Sequence, residues 1–210
     1  MAVNRGKRPY RSVRRAVSVD ETRARILSAA RLLLSGGKGL PAFSVEGVAE
    51  QAGVTRLTVY NQFESKQGLL EAMFDDLARE GGLAALPRVF ALADAHEALR
   101  KAVTVFCRFW DFHRKVMPKF GAMIRLDEEL AASLRQRAER RRIALAVLVR
   151  QLGPVKTKAD AELVDILFAL TSFEMFDSLS VNQRSRESVE DLVQTMVQAA
   201  LDRFIAPSGK

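Results

Sequence analysis

The stretch from Thr55 to Lys66 reads TRLTVYNQFESK. It gathers a guanidinium (Arg56), hydroxyls (Thr55, Thr58), a phenol (Tyr60), a carboxamide (Asn61) and an ammonium (Lys66) around the apolar Leu57. No nucleophile stands beside a base in it, and the whole chain holds only two histidines and one cysteine. There is no Gly-rich phosphate loop and no metal-ligand spacing, so neither an enzyme nor a bound cofactor or metal is expected. The set is suited instead to hydrogen bonding with an extended polar partner. Arginine pairs with guanine edges, asparagine with adenine, and an apolar group meets a thymine methyl. Tyrosine and lysine suit phosphates, which orient a protein without reading sequence.

These residues need elements that present them. Ser44 fits the N-cap of a helix in which Val45, Val48, Ala49 and Ala52 fall at i, i+3, i+4 and i+7. Gly53 breaks that helix and tolerates positive φ. Thr55 caps a short third helix, and at 100° per residue Val59 and Phe63 share its inner side. Leu57, Tyr60 and Asn61 then face outward, with Arg56 and Thr58 at the margins. A small residue at Ala49 admits a close crossing, and Val59 points back into the angle. This is the pattern of a helix-turn-helix with Thr55–Phe63 as its recognition helix. Ser65 caps a fourth helix with the apolar stripe Leu69, Leu70, Met73, Phe74 and Leu77. Backbone N–H groups at the starts of the second and fourth helices are a further place for phosphate oxygens.

FSVEGVAEQAGVTRLTVYNQFESKQGLL resembles the N-terminal domain of tetracycline-repressor (TetR) type transcription regulators. The shared features are the capped second helix, AGV, the short helix ending VYNQF, and the serine-lysine opening the fourth helix. The resemblance is specific over about residues 18–75. It implies a homodimeric, ligand-responsive protein that binds double-stranded DNA, most often a repressor. It assigns Thr55 and Arg56 to the start of the recognition helix and Tyr60 and Lys66 to phosphates. Leu57 and Asn61 depart from the family pattern, where a small residue and a ring or basic residue are common, so they bear on the operator sequence.

Charge agrees with a polyanionic partner. Residues 1–66 carry 12 Lys and Arg against 5 Asp and Glu, whereas the other 144 residues carry 21 against 20. Nearly all of the net +8 therefore sits at one end, where phosphate contacts and counterion release use it. Residues 1–17 hold six basic and no acidic residues without an apolar period, which predicts an irregular arm. Its Arg11, Arg14 and Arg15 precede a first helix capped by Ser18 and Glu21, and arginine in such an arm can enter a narrow minor groove. That helix is expected to bury Ile26, Ala29, Ala30 and Leu33 and to end at Gly36-Gly37.

The expected organisation is all-α: an arm over 1–17, the helix-turn-helix domain over 18–66, a connecting helix over 67–82 and a helical body over 83–210. Helices are predicted near 94–114, 118–126, 127–151, 157–180 and 186–205, with a short one around 86–92. In the body, Phe106, Trp110, His113 and Met117 share a face that is either core or, as the resemblance implies, one wall of an effector pocket. Phe168, Ser172 and Phe176 are a second wall or part of a dimer seam. Aromatic walls with one polar group suit a mostly apolar small molecule. Val189, Leu192, Val193, Met196 and Val197 exceed what one neighbour covers, and in similar regulators two such helices per subunit form the dimer bundle. The cluster RQRAERRR (Arg135 to Arg142) is read as a solvated face with snorkelling stems. Cys107 is expected to be a small buried thiol. No apolar run reaches a membrane span, so a cytoplasmic protein without a membrane partner is expected. A sequence-tolerant architectural DNA-binding protein without an effector is the alternative, and repressor and activator read alike.

Overall fold

The computed structural model describes residues 9–36, 43–153 and 160–205, with side chains from residue 18 onward. Every regular element among them is helical. They are α1 (Pro9–Ser35), α2 (Val45–Ala52), α3 (Arg56–Phe63), α4 (Lys66–Glu80), a 3₁₀ turn (Leu83–Ala85), α5 (Leu86–Phe90), α6 (Ala95–Phe112), α7 (Met117–Leu126), α8 (Glu128–Leu152), α9 (Asp160–Leu170), α10 (Phe173–Leu179) and α11 (Arg186–Phe204). Two compact units divide between Phe74 and Asp75, inside α4.

The first unit is built as its capping signals require. Ser44 Oγ accepts from Gly47 N–H at 3.0 Å, Thr55 Oγ1 from Thr58 N–H at 3.1 Å, and Ser65 Oγ from Gly68 N–H at 2.9 Å. Each satisfies a first-turn donor that has no partner within the helix. Gly53 closes α2 with φ 63°; its N–H donates to the Glu50 carbonyl and that of Val54 to Ala49, a Schellman-type end. Ile26, Ala30, Leu34, Phe43, Val48, Ala49, Val59, Phe63, Leu69, Leu70 and Met73 form the core. Two expectations for α1 change. It begins at Pro9, so residues 9–17 are helical, and Ser18 lies inside the helix, its carbonyl accepting from Thr22 Oγ1 at 2.8 Å. Leu34 is fully buried while Leu33 is only half-buried, because the face against α2 is rotated by one residue. Residues 1–8 and Gly37 lie outside the described residues.

In the second unit α6 is the central helix, capped by Asp94, whose Oδ1 accepts from His96 and Glu97 N–H at 2.9 and 3.2 Å. It packs against α5, α8, α10 and α11, while α8 and α11 both pack against α9. Leu99, Val103, Phe106, Phe109, Phe120, Leu145, Leu148, Leu163, Leu167, Phe176, Val189, Val193 and Leu201 fill the interior. The single helix expected over 157–180 is two helices. The first stops at Leu170 and Ser172 caps the second, its Oγ accepting from Met175 N–H at 3.2 Å. The i, i+4, i+8 alignment of Phe168, Ser172 and Phe176 therefore does not exist, and the Ser172 hydroxyl serves as a cap. No described helix is long and apolar enough to cross a membrane.

Candidate nucleic-acid interface and body cluster

The third helix presents its outward set as the spacing requires. Val59 and Phe63 are 1% and 5% exposed, whereas Leu57 is 67% exposed, an uncovered leucine beside Arg56 and Asn61, both also exposed. Thr55 and Lys66 are exposed; Ser44, Thr58 and Tyr60 are half-buried. The eight expected DNA-contact residues thus lie on the helix-turn-helix and its two flanking helix starts.

Their mutual contacts were not legible in the spacing. Arg56 Nη1 lies 2.7 Å from Glu46 Oε1 in the first turn of α2, and its Nη2 donates to the Tyr60 hydroxyl at 3.2 Å. The bond to Tyr60, then the Glu46 charge, hold the Arg56 guanidinium above its ordinary range. Arg23 of α1 donates to the Gln62 carbonyl at 2.6 Å and lies 4.3 Å from the Phe63 ring centroid. This clamps the C-terminus of α3, where carbonyls lack helical partners and attract cations.

The turn from α3 to α4 is equally tight. Glu64 takes φ 64° and ψ −42°, and Ser65 N–H donates to the Phe63 carbonyl at 2.7 Å, a γ-turn of the strained hand. A Cβ on Gly68 would stand 2.1 Å from the Phe63 carbonyl oxygen. Only glycine lets α4 start so close to the end of α3. The side chains of Arg11, Arg14 and Arg15 lie outside those described.

In the body, the expected pocket residues separate into two places. His113, 2% exposed, donates through Nε2 to the Leu77 carbonyl of α4 at 2.8 Å; a carbonyl only accepts, so Nε2 carries the proton. Phe109 packs edge-on to it, and a Cβ on Gly81 would lie 2.4 Å from Phe109 Cδ2. Met117, 8% exposed, opens α7 nearby, with its N–H bonded to the His113 carbonyl at 3.0 Å.

Phe106 and Trp110 face a different group. Trp110 Nε1 donates to the Thr171 carbonyl at 3.0 Å, and Arg141 Nη1 donates to the same oxygen at 2.9 Å. That carbonyl is available because α9 stops at Leu170. The Arg141 guanidinium carbon lies 4.0 Å from the Phe168 ring centroid and 5.4 Å from that of Phe106. Burial lowers its pKa to about 10, so it remains a cation at neutral pH.

The arginine-rich cluster is thus not one solvated face. Arg137 pairs with Asp75 and Arg142 with Asp165, while Arg141 turns inward. Its signal was present in the sequence: it stands at i−4 and i−7 from the buried Leu145 and Leu148. The dimer candidates are corrected similarly. α11 packs against α6 and α9 of its own chain, and Val189, Val193 and Val197 are buried there. Leu192 (37% exposed) and the half-buried Met196 retain surface for a partner. Phe176 is interior core at 2% exposure. Cys107 is a free, buried thiol, as expected.

In chain order, a capped helix-turn-helix head precedes a larger all-helical unit. Residues 26–73 match the family model of bacterial regulatory proteins of the tetR family. The chain is similar in structure to a transcriptional regulator from Rhodococcus sp. Rha1, at 19% identity and TM-score 0.68, covering 89% of this chain and 99% of that one. A Saccharomonospora viridis protein described as a transcriptional regulator, solved in complex with choline, gives 18% identity and TM-score 0.65 over 90% and 100%. SmeT, the repressor of the Stenotrophomonas maltophilia multidrug efflux pump SmeDEF, gives 20% and 0.64 over 90% and 93%. At such identities the structures attest the fold. No curated protein matches the sequence. Residues 26–73 of this chain are thus similar to the N-terminal domain of tetR-family bacterial regulatory proteins.

Proposed function

We propose that the protein is a ligand-responsive repressor that binds a palindromic operator as a homodimer and leaves it when a small molecule occupies the body. The observation that carries the reading is the outward face of α3, where Leu57 stands uncovered between Arg56 and Asn61. Arg56, Leu57, Thr58 and Asn61 read base edges, while Tyr60, Lys66, Thr55 and Ser44 hold phosphates. A two-fold dimer presents one such helix to each half-site.

The coupling is a population shift. The C-terminal end of α6 grips α4 through His113 and Leu77, and α4 runs on to Phe74 and the head. A ligand that prefers another placement of α6 lowers DNA affinity by its differential affinity for the two states, typically about 1–3 kcal/mol. The choline complex and the efflux-pump repressor among the similar structures are precedents for small ligands and for repression in this fold.

Genomic footprinting of the protein tests the reading. A palindromic site beside its own or a neighbouring gene is the expected result. Scattered occupancy without a motif would overturn it.

A further inference from the structure

Arg141 is charged and half-buried, with its Nε fully withdrawn from water. Of five N–H donors, one is used among the described residues, by the Thr171 carbonyl at 2.9 Å. Nε is buried without any hydrogen-bond partner. Burying an N–H of a cation without a hydrogen-bond partner is costly. Glu174 acts on it only through its field, opposed by that of Arg142, which is itself paired with Asp165. The cation lies 4.0 Å from the Phe168 ring centroid, with the Arg142 guanidinium 4.3 Å from the same ring, beside Phe106 and Trp110. Trp110 shares its anchoring carbonyl.

A guanidinium whose Nε lacks a hydrogen-bond partner is half of the bidentate fork that a carboxylate fills. The aromatic rings around it offer faces to an apolar body. We infer that the body of this protein binds an organic acid, its carboxylate on the Nε edge of Arg141 and its apolar part against Phe168, Phe106 and Trp110. The inference rests on the proposed effector role of this unit and narrows it from a mostly apolar ligand to an anionic one. It also separates this chain from the neighbour that binds choline, because a buried guanidinium repels a quaternary ammonium.

Trp110 is the single tryptophan of the chain, so its fluorescence reports on this cluster alone. Titration of the full-length protein with 3-phenylpropionate and decanoate, against 3-phenylpropionamide and decanamide, is the test. Either acid is expected to shift the emission saturably, with its amide at least tenfold weaker. Arg141→Met is expected to erase that preference, and Arg141→Lys to keep part of it. Equal response to acids and amides, no response to any of the four, or an undiminished acid preference in Arg141→Met would overturn the inference. The acid–amide comparison needs only the wild-type chain, so a poorly folded variant does not blunt it. Release of the footprinted operator duplex by the same acid tests the regulatory role separately. Acid binding without loss of DNA affinity leaves the Arg141 site standing and removes its role in repression.

Discussion

Arg56 Nη1 lies 2.7 Å from Glu46 Oε1, joining the first turn of the recognition helix to the first turn of the helix before it. Both side chains are 59% exposed, so the pair is held by geometry more than by burial, and salt screens it. Arg56 therefore has to exchange one acceptor for another when it meets a base. Glu46→Gln removes the competitor and the local negative charge. It is expected to tighten binding to random duplexes more than to the operator, lowering the specificity ratio. Arg56→Ala is expected to lose about 1–3 kcal/mol of discrimination at particular base pairs, whereas Tyr60→Phe weakens every site alike. Titrations against single-base operator variants separate the three. Equal losses on cognate and random DNA from Arg56→Ala would show the role wrongly assigned.

Gly68 is the second point of strain in the head. A methyl there meets the Phe63 carbonyl oxygen at 2.1 Å, a backbone atom that cannot swing aside. Gly68→Ala is expected to cost about 1–3 kcal/mol despite alanine's better helix propensity. It should also loosen DNA binding, since α3 must shift. Thermal unfolding and a duplex titration check both. A variant as stable as wild type would mean that α3 and α4 have room to part at this turn.

The Cys107 thiol is pushed up from 9.0 to about 12, chiefly by burial, with Glu190 adding to the rise. Unfolded chains lose this proton near pH 9 while folded ones keep it, so the contribution is present below pH 9 and lost between pH 9 and 12. Cys107→Ala is expected to flatten the fall in stability over that window. The native thiol is expected to resist a thiol reagent at pH 8 until the chain unfolds. Denaturant melts across pH, with and without the substitution, decide it.

The basic start of the chain is testable without cutting α1. Deletion of residues 1–8 removes Arg5, Lys7 and Arg8. If they neutralise phosphates, the slope of log K against log salt falls by about 0.9 for each phosphate left without its cation. An unchanged slope would assign them a solubilising role only.

How legible was this protein? Its head was read almost residue by residue. Ser44, Thr55 and Ser65 each close a hydrogen bond three residues away, and Gly53 takes the left-handed turn that its position demands. Such signals are local, decided within one helical turn by side chains and backbone that cannot avoid each other. The start of α1 over residues 9–17 carries no such cap signal, and its three arginines without an acidic residue resemble a solvated arm.

In the body the periodicity named helices but not their partners. Val189, Val193 and Val197 read as surplus apolar surface, yet α6 and α9 cover that stripe. The break before Ser172 has no local mark, because nothing around it forbids a continuous helix.

By itself, then, the sequence determined an all-α chain with a capped helix-turn-helix at its basic end, since caps, glycine and a 3.6-residue period act over a few residues. Only the tertiary structure decided which arginine of a solvent-like run turns inward. Trp110 and Thr171 stand 61 positions apart, Thr171 and Arg141 another 30 back along the chain. Packing alone brings them to one carbonyl oxygen, and no local preference encodes a meeting at that distance.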